Sequence, residues 1–381
     1  MADRTLTIFH VDGEPGFRGG ERQLLYLAAA LRARGHANIV CCRPDGDLHR
    51  GARRQGFETL ALPFRFEFDP VSARGLARAA RGHAHPVVHA HTAHAAGIAL
   101  LARWLGGPRT VAHRRVDFPL RMFSRLKYGR MDRLVAVSNA IARQLERDGL
   151  PADRISVIHD TLPASPEEWR WVGVETPTIA PVDAERRQRA RQALAESFGL
   201  DPTRPWIGNL AALTPHKDHH TLISAVPILR RNHPEALCLI AGRGPEEGRL
   251  RDLIDRLGVR GQVMLLGHHG DPGQLLAALD LFVLSSWGEG MGSVLLEAAA
   301  CGVPVVATAA GGIPEVVQDR QTGLLAPPRD PPALARCLTE LLDDPALARR
   351  LSTAAFEALP RFGLARAAER FEQLYHALAD G

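Results

Sequence analysis

The sequence predicts an α/β protein of two domains, each a parallel sheet covered by helices on both faces. Three observations carry this. Apolar runs of four to six residues alternate with amphipathic stretches along most of the chain, the pattern of buried parallel strands joined by crossover helices. At 381 residues the chain is longer than one hydrophobic core usually serves, so two domains of about 150–200 residues are expected. The alternation lapses over 160–182, where Pro163, Pro166, Pro177 and Pro181 gather, and this is the best candidate for a linker.

In the first half, strands are expected at 5–10, 38–42, 59–62, 87–91, 110–113, 134–137 and 155–159. Helices are expected between several of them, at 20–34, 93–105 and 138–148, with Ser138 as a good N-cap. A charged helix at 184–198 follows the linker. In the second half the strands are 206–210, 263–266, 281–284 and 303–307, and helices at 333–342 and 347–359 close the domain. A final helix is expected at 363–379, where Leu364, Ala367, Ala368, Phe371, Leu374, Tyr375 and Leu378 recur at helical spacing.

Composition narrows the partners. Cysteines at 41, 42, 238, 301 and 337 form no metal-binding spacing and suggest a reducing compartment. The first strand begins at once, with no leader expected, and no apolar run reaches the length of a membrane span. A cytoplasmic protein is expected, attached to a membrane at most by its surface. Residues 1–160 hold 25 basic against 15 acidic side chains, a net of +10, while the whole chain is +5. A basic first half suits an anionic lipid surface or a phosphorylated glycan. Nucleic acid is disfavoured, since none of its recognition motifs occurs. Of the 47 basic residues only Lys127 and Lys217 are lysines, which hints at a need for a compact ammonium at those positions.

Four stretches can carry chemistry. Gly16 to Arg22 includes the pair Gly19-Gly20 and joins the first strand to the first helix, at the end of the sheet where open α/β folds bind ligands. Glycines there can equally be plain turn formers. His89-Ala90-His91-Thr92-Ala93-His94 alternates on a strand end, so His89 and His91 share a face. A metal site is conceivable there, but no acidic ligand lies near in sequence; a structural role for His89 and His94 is the alternative. His113, Arg114, Arg115 and the following Arg121, Arg125, Lys127, Arg130 and Arg133 interleave with Phe118, Met122, Phe123 and Leu126. That suits a helix lying on an anionic membrane or gripping a phosphorylated acceptor, and equally an amphipathic helix packed on the sheet.

The fourth stretch, 285–323, organises the rest. A strand leads into Ser285-Ser286-Trp287-Gly288-Glu289-Gly290-Met291-Gly292-Ser293, then an amphipathic run bearing Glu297 that stops at Gly302. A second strand leads to Gly311-Gly312 and Glu315. Glycines let backbone amides approach a ligand, and a helix start offers unpaired N–H groups. Glu289 on the turn and Glu297 about two turns on can face one pocket, and carboxylates accept well from sugar and ribose hydroxyls.

This run resembles the glutamate–seven residues–glutamate motif of family 4 glycosyltransferases, the retaining enzymes of the GT-B fold. The match extends from Ser285 through Glu297 and Gly302-Val303-Pro304 to Glu315. The resemblance implies two Rossmann-like domains facing a cleft: an acceptor domain over 1–162, a linker and helix over 163–204, a nucleotide-sugar domain over 205–360, and a helix over 361–381 returning to the first domain. It implies His91, Lys217 and Glu289 as catalytic residues. Donor contacts fall to Gly19, Gly20, Gly290, Met291, Gly292, Ser293 and Glu297, and acceptor contacts are expected at Arg114 and Arg115. The family commonly carries an Arg and a Lys on the donor diphosphate. Lys217 matches, but Ala212 stands where the Arg would be, and Arg243 is the expected substitute. The turn Gly267-His268-His269-Gly270 would line the base, without choosing uridine or guanosine.

The implied reaction is metal-free transfer of a sugar from a UDP or GDP donor to a glycan or lipid-linked hydroxyl in cell-envelope polysaccharide or lipopolysaccharide synthesis. A nucleotide-sugar epimerase on the same fold and a non-catalytic sugar-binding relative are the competing expectations.

Overall fold

A computed structural model describes residues 4–379. The chain forms two compact units, one from residues 1–175 and 361–381 and the other from 176–360.

In the first unit seven strands form an all-parallel sheet: β1 (Thr7–Val11), β2 (Ala37–Cys42), β3 (Glu58–Ala61), β4 (Pro86–Ala90), β5 (Arg109–Arg114), β6 (Arg133–Ala136) and β7 (Ile155–Val157), in the order β3-β2-β1-β4-β5-β6-β7. The central strands are apolar on both faces because helices cover both; Ile8, Phe9, Val87, Val88 and Val111 have no exposed surface. The order turns at β1/β4, where Thr7 pairs with Ala37 on one side and Pro86 on the other. Such a switch point opens a crevice at the C-terminal ends of the strands.

The last helix, Leu364–Ala379, belongs to this unit and buries Phe371, Leu374 and Tyr375 in its core. Glu168 holds its start, accepting from the N–H groups of Leu364 at 3.1 Å and Ala365 at 2.9 Å. That carboxylate satisfies donors a helix end leaves open.

The second unit is a six-stranded parallel sheet of β8 (Trp206–Leu210), β9 (Leu237–Ala241), β10 (Val263–Gly267), β11 (Leu281–Leu284), β12 (Val305–Thr308) and β13 (Leu324–Ala326), in the order β10-β9-β8-β11-β12-β13. Its switch point lies at β8/β11. Among the described residues no helix is long and apolar enough to cross a membrane.

The chain passes from the first unit to the second at 175/176, inside the expected linker and helix over 163–204. Residues 163–175 belong to the first unit and include the helix Pro166–Trp171, started by Pro166 and capped by Ser165. The helix Ala184–Phe198 belongs to the second unit. Arg187 donates to Leu279 O at 2.7 Å and Arg191 to Asp280 at 2.8 Å, and the Arg191 guanidinium lies 4.4 Å from the Trp206 ring. Its arginines anchor this charged helix, whose apolar pattern is weak.

Candidate active site

The second unit gathers its polar groups at the C-terminal ends of β8 and β11. After β8 the chain makes the 3-10 turn Pro215–Lys217, and Asp218, at φ 49°, caps the next helix by accepting from Thr221 N–H. The loop after β11 is fastened to this turn. Ser285 Oγ donates to the carbonyls of Lys217 at 3.2 Å and Asp218 at 3.0 Å. Trp287 donates its backbone N–H to His216 O at 3.0 Å and its indole N–H to Pro215 O at 2.9 Å.

This lacing brings Lys217 Nζ to 2.5 Å from Glu289 Oε2, which also accepts from Ser286 Oγ at 3.1 Å. Both charged side chains keep some surface, 18% and 12%. Behind them Asn209 accepts from His219 Nε2 at 2.9 Å and donates to Val283 O at 2.8 Å. Burial pushes His219 down to about 4, so it is a neutral strut.

The two glutamates do not share one helix. The helix begins only at Val294, with Ser293 as N-cap, so Glu297 lies in its first turn while Glu289 is on the preceding loop. Gly292, at φ 79°, makes the bend between them. Glu297 is 6% exposed and Met291 1%. Met291 is thus a core side chain that can offer a ligand only its backbone. Gly290 is buried, and Glu289 O accepts from Gly312 N–H at 3.0 Å, tying this loop to the second glycine turn.

The backbone of Arg243, the expected substitute for the missing Arg at position 212, runs beside the segment that carries Ala212. Leu213 N–H donates to Arg243 O at 3.0 Å, and Ala211 N–H to Ala241 O at 3.1 Å. The approach depends on Gly242, whose φ is 155° and whose Cβ, if present, would sit 1.9 Å from Ala211 O. The Arg243 side chain is exposed.

In the first unit the C-terminal ends of β1, β4 and β5 carry four buried histidines. His10 on β1 pairs with His89 on β4 in register, His91 follows β4 directly, and His113 lies on β5. His91 Nε2 is 3.1 Å from His10 Nδ1, and His10 Nε2 is 2.9 Å from Asn38 Oδ1. His91 Nδ1 is 3.4 Å from Arg115, which pairs with Asp160 at 3.0 Å. His89 Nδ1 meets the Tyr375 hydroxyl at 2.7 Å. Burial lowers all four; His10 falls to about 4.

One nitrogen from each of His10, His89 and His91 lies within 4.8 Å of the others, but the hydrogen bonds do not suit a cation. Arg115 can only donate, so His91 Nδ1 accepts and Nε2 carries the hydrogen, pointing into the cluster. Gly19 and Gly20 open the helix Gly19–Ala33, and a side chain at Gly20 would meet open space.

The two halves of the chain match two family descriptions. "Glycosyltransferase Family 4" covers residues 17–162 and "Glycosyl transferases group 1" covers 190–358. The chain belongs to the family 4-like glycosyltransferases.

One relative of this glycosyltransferase chain is a GDP-mannose-dependent alpha-(1-6)-phosphatidylinositol monomannoside mannosyltransferase of Mycolicibacterium smegmatis, 37% identical over 193 residues, 48% of each chain. An N-acetyl-alpha-D-glucosaminyl L-malate synthase of Bacillus anthracis is 37% identical over 143 residues, 37% of this chain and 38% of that one. The chain spans about half the length, or less, of these curated relatives. Among solved structures, Anabaena HepE in complex with UDP and glucose superposes with a TM-score of 0.83 at 21% identity, over 98% of this chain and 100% of that one. This places the fold among GT-B glycosyltransferases.

Against this background, several residues of the family 4-like chain differ from their expected surroundings. Arg114 donates to Phe118 O at 2.6 Å and Arg115 is engaged by Asp160 and His91, so both are turned to internal partners. Lys127 is not on a membrane-facing surface. Its side chain is 2% exposed, and Nζ bonds to Glu67 and, at 2.7 Å, to Ala93 O. Two functional candidates escaped the sequence reading. Ser286 shares Glu289 with Lys217, and Asp12, 1% exposed, follows β1 directly before the glycine loop. The sequence signal for Asp12 is its place between an apolar strand and Gly13.

Proposed function

We propose that the protein transfers a sugar, with retention of configuration, from a UDP or GDP donor to the hydroxyl of a glycan or lipid-linked acceptor in cell-envelope polysaccharide or lipopolysaccharide synthesis. The observation that carries this is the Lys217–Glu289 pair, fixed at the switch point of the second sheet and sharing Ser286. A compact ammonium and a hydrogen-bond-accepting carboxylate side by side suit a diphosphate next to a sugar. Lys217 and Arg243 would meet the diphosphate charge without a metal, with the backbone of Gly290, Gly292 and Ser293. Glu289 would hold sugar hydroxyls and Glu297 the ribose, with Gly19 and Gly20 near the donor phosphates. The M. smegmatis relative is named for GDP-mannose and the HepE structure contains UDP, which supports testing both nucleotides.

Melting temperature with UDP, GDP, ADP or CMP tests the donor site. Millimolar ligand at micromolar affinity stabilises by about 4 kcal/mol. One nucleotide is expected to raise the melting temperature of the wild type and not of Glu297→Ala. A shift that survives in Glu297→Ala would remove the ribose role, and no shift with any nucleotide would favour a non-catalytic relative.

The acceptor surface is read as a peripheral membrane contact on the inner face of the cytoplasmic membrane. Met122, Phe123 and Leu126 on the helix Met122–Tyr128, with Phe66 and Phe68 on the loop joined to it through Lys127 and Glu67, are exposed; Phe123 reaches 79%. Exposed Arg65, Arg121 and Arg125 accompany them. Apolar side chains ringed by arginines suit an anionic bilayer. The protein is expected to sediment with phosphatidylglycerol vesicles and not with phosphatidylcholine ones, and Phe123→Glu should release it. Equal binding of the variant would exclude this surface.

A further inference from the structure

The geometry points to a second binding site in the second unit, for a small phosphate monoester with an apolar body. It lies apart from the Lys217–Glu289 pair and does not rest on the transfer reading.

A cavity of about 590 Å³ opens at the N-terminal edge of the second sheet. Its lining runs from Arg187 to Ser352 and so stays inside the unit 176–360. It meets the sheet at Pro205, just before β8, at Leu281, the first residue of β11, and at Pro304, just before β12. The loop that carries Glu289 leaves the other end of β11, about 13 Å away at about 3.3 Å per residue. Sites for small molecules occupy about 300–1,000 Å³, so the volume suits an organic ligand.

The walls are basic. Arg187 and Arg191 come from the helix Ala184–Phe198, Arg349 from the helix Pro345–Glu357 and Arg204 from the loop before β8. Against these four stands one acid, Asp280. It is already engaged, by Arg187 at 3.4 Å, Arg191 at 2.8 Å and Trp206 N–H at 2.8 Å. The concentration of arginines is local, because the chain beyond residue 160 nets −5, the whole being +5 and residues 1–160 being +10.

The guanidiniums divide into two kinds. Arg191 spends its donors on Asp280 and on the carbonyls of Pro202, Ala278 and Arg204, so it builds the wall. Arg349 has no partner for its guanidinium among the described residues, and Arg187 uses only Nη1. Those two have donors to offer. A terminal phosphate carries nearly two negative charges and three strong acceptor oxygens, enough for two arginines.

The rest of the ligand is not a sugar or a ribose. Apart from the charged side chains, only Thr203 and Ser352 bring a polar group to the cavity. Both hydroxyl hydrogens are spent, on Asp201 Oδ1 at 2.6 Å and on Arg349 O at 3.0 Å. The remaining surface is Leu281, Pro304, Leu341 and Ala348 with their neighbours. Such a surface takes an apolar body and leaves hydroxyls unpaired. This separates the site from one for a nucleotide.

Titration calorimetry at pH 7.5 with phenyl phosphate, hexyl phosphate and inorganic phosphate tests the assignment. At least one ester is expected to bind the wild type with a Kd below about 1 mM, the two arms separating a flat from a flexible body. Inorganic phosphate should bind at least about 10-fold more weakly, since it buries no apolar surface. Lys217→Ala should bind the ester like the wild type. Arg349→Glu should weaken it at least about 10-fold. No binding of either ester, equal binding of inorganic phosphate, unchanged binding in Arg349→Glu or loss of binding in Lys217→Ala overturns the site. Arg349 is exposed and its side chain holds no other element, so the variant should fold. Should it not, the Arg349 Nε–H resonance of the wild type decides: a shift on adding the ester supports the site and no shift overturns it. The melting response to UDP or GDP should survive in Arg349→Glu. Its absence from the wild type would count against the transfer reading and leave this site standing.

Discussion

Replacing Lys217 by alanine is expected to lower donor cleavage about 10²–10³-fold and to leave the fold intact. The ammonium is held from behind by backbone contacts that do not involve its charge. Ser285 grips the carbonyls of Lys217 and Asp218, and Trp287 grips those of Pro215 and His216. The turn therefore keeps its shape when Nζ is removed. What disappears is a preorganised cation aimed where negative charge collects as the diphosphate departs. Loss of one such donor typically costs about 2.7–4 kcal/mol of transition-state stabilisation. The stability cost should be smaller, about 1 kcal/mol, because the pair keeps contact with solvent and Glu289 retains Ser286. Lys217→Arg is not expected to rescue, since a planar fork cannot occupy the place of a compact ammonium 2.5 Å from Glu289. Steady-state hydrolysis of the donor that shifts the melting temperature checks this. Activity of Lys217→Ala within fivefold of wild type would exclude the role.

Much of this frame was legible in the sequence. Parallel strands covered on both faces are largely apolar, so β1, β4, β8 and β11 stand out as short, mostly apolar runs. The loop after β11 could be read because its glycines and glutamates are local.

Less local facts could not be read. Alternation shows that His89 and His91 share a face, but not that β1 and β5 each add a histidine to the same layer, since register between strands is a tertiary property. Lys127 sits in a basic, apolar-rich stretch, and only the packing of the loop carrying Glu67 against its helix buries it. Met291 lies inside a ligand-like motif yet points into the core. The contacts that hold the flanks of the linker are equally non-local: Glu168 and Arg191 find partners nearly 200 and about 90 residues away in the chain. Asp12 carries no motif at all; its interest arises from burial and one missing partner.

Mild acid is expected to unfold the protein, and the sign follows from groups on both sheets. His219 titrates at about 4 in the folded state against 6.5 unfolded. A lowered histidine gives stability that is present above 6.5 and is lost as pH falls toward 4, here about 3 kcal/mol for the second unit. His10 makes a loss of the same size in the first unit. Asp12 opposes it. Its carboxyl is raised from 3.8 to about 7, so its contribution is lost as pH rises and regained on acidification, by about 3 kcal/mol over the same window. His10 and Asp12 therefore nearly cancel, and His89, His91 and His113, all lowered, decide the balance toward loss. Calorimetric transitions should accordingly move down between pH 6.5 and 4, and because the chain has two units they need not coincide. The Asp12→Asn variant sharpens the test. It removes the cost of a buried charge at neutral pH, so it should melt above the wild type at pH 7.5, with the difference closing by pH 4. Transitions unchanged between pH 7 and 4, or an Asn variant no more stable at pH 7.5, would show that these buried groups titrate as they do in the unfolded chain.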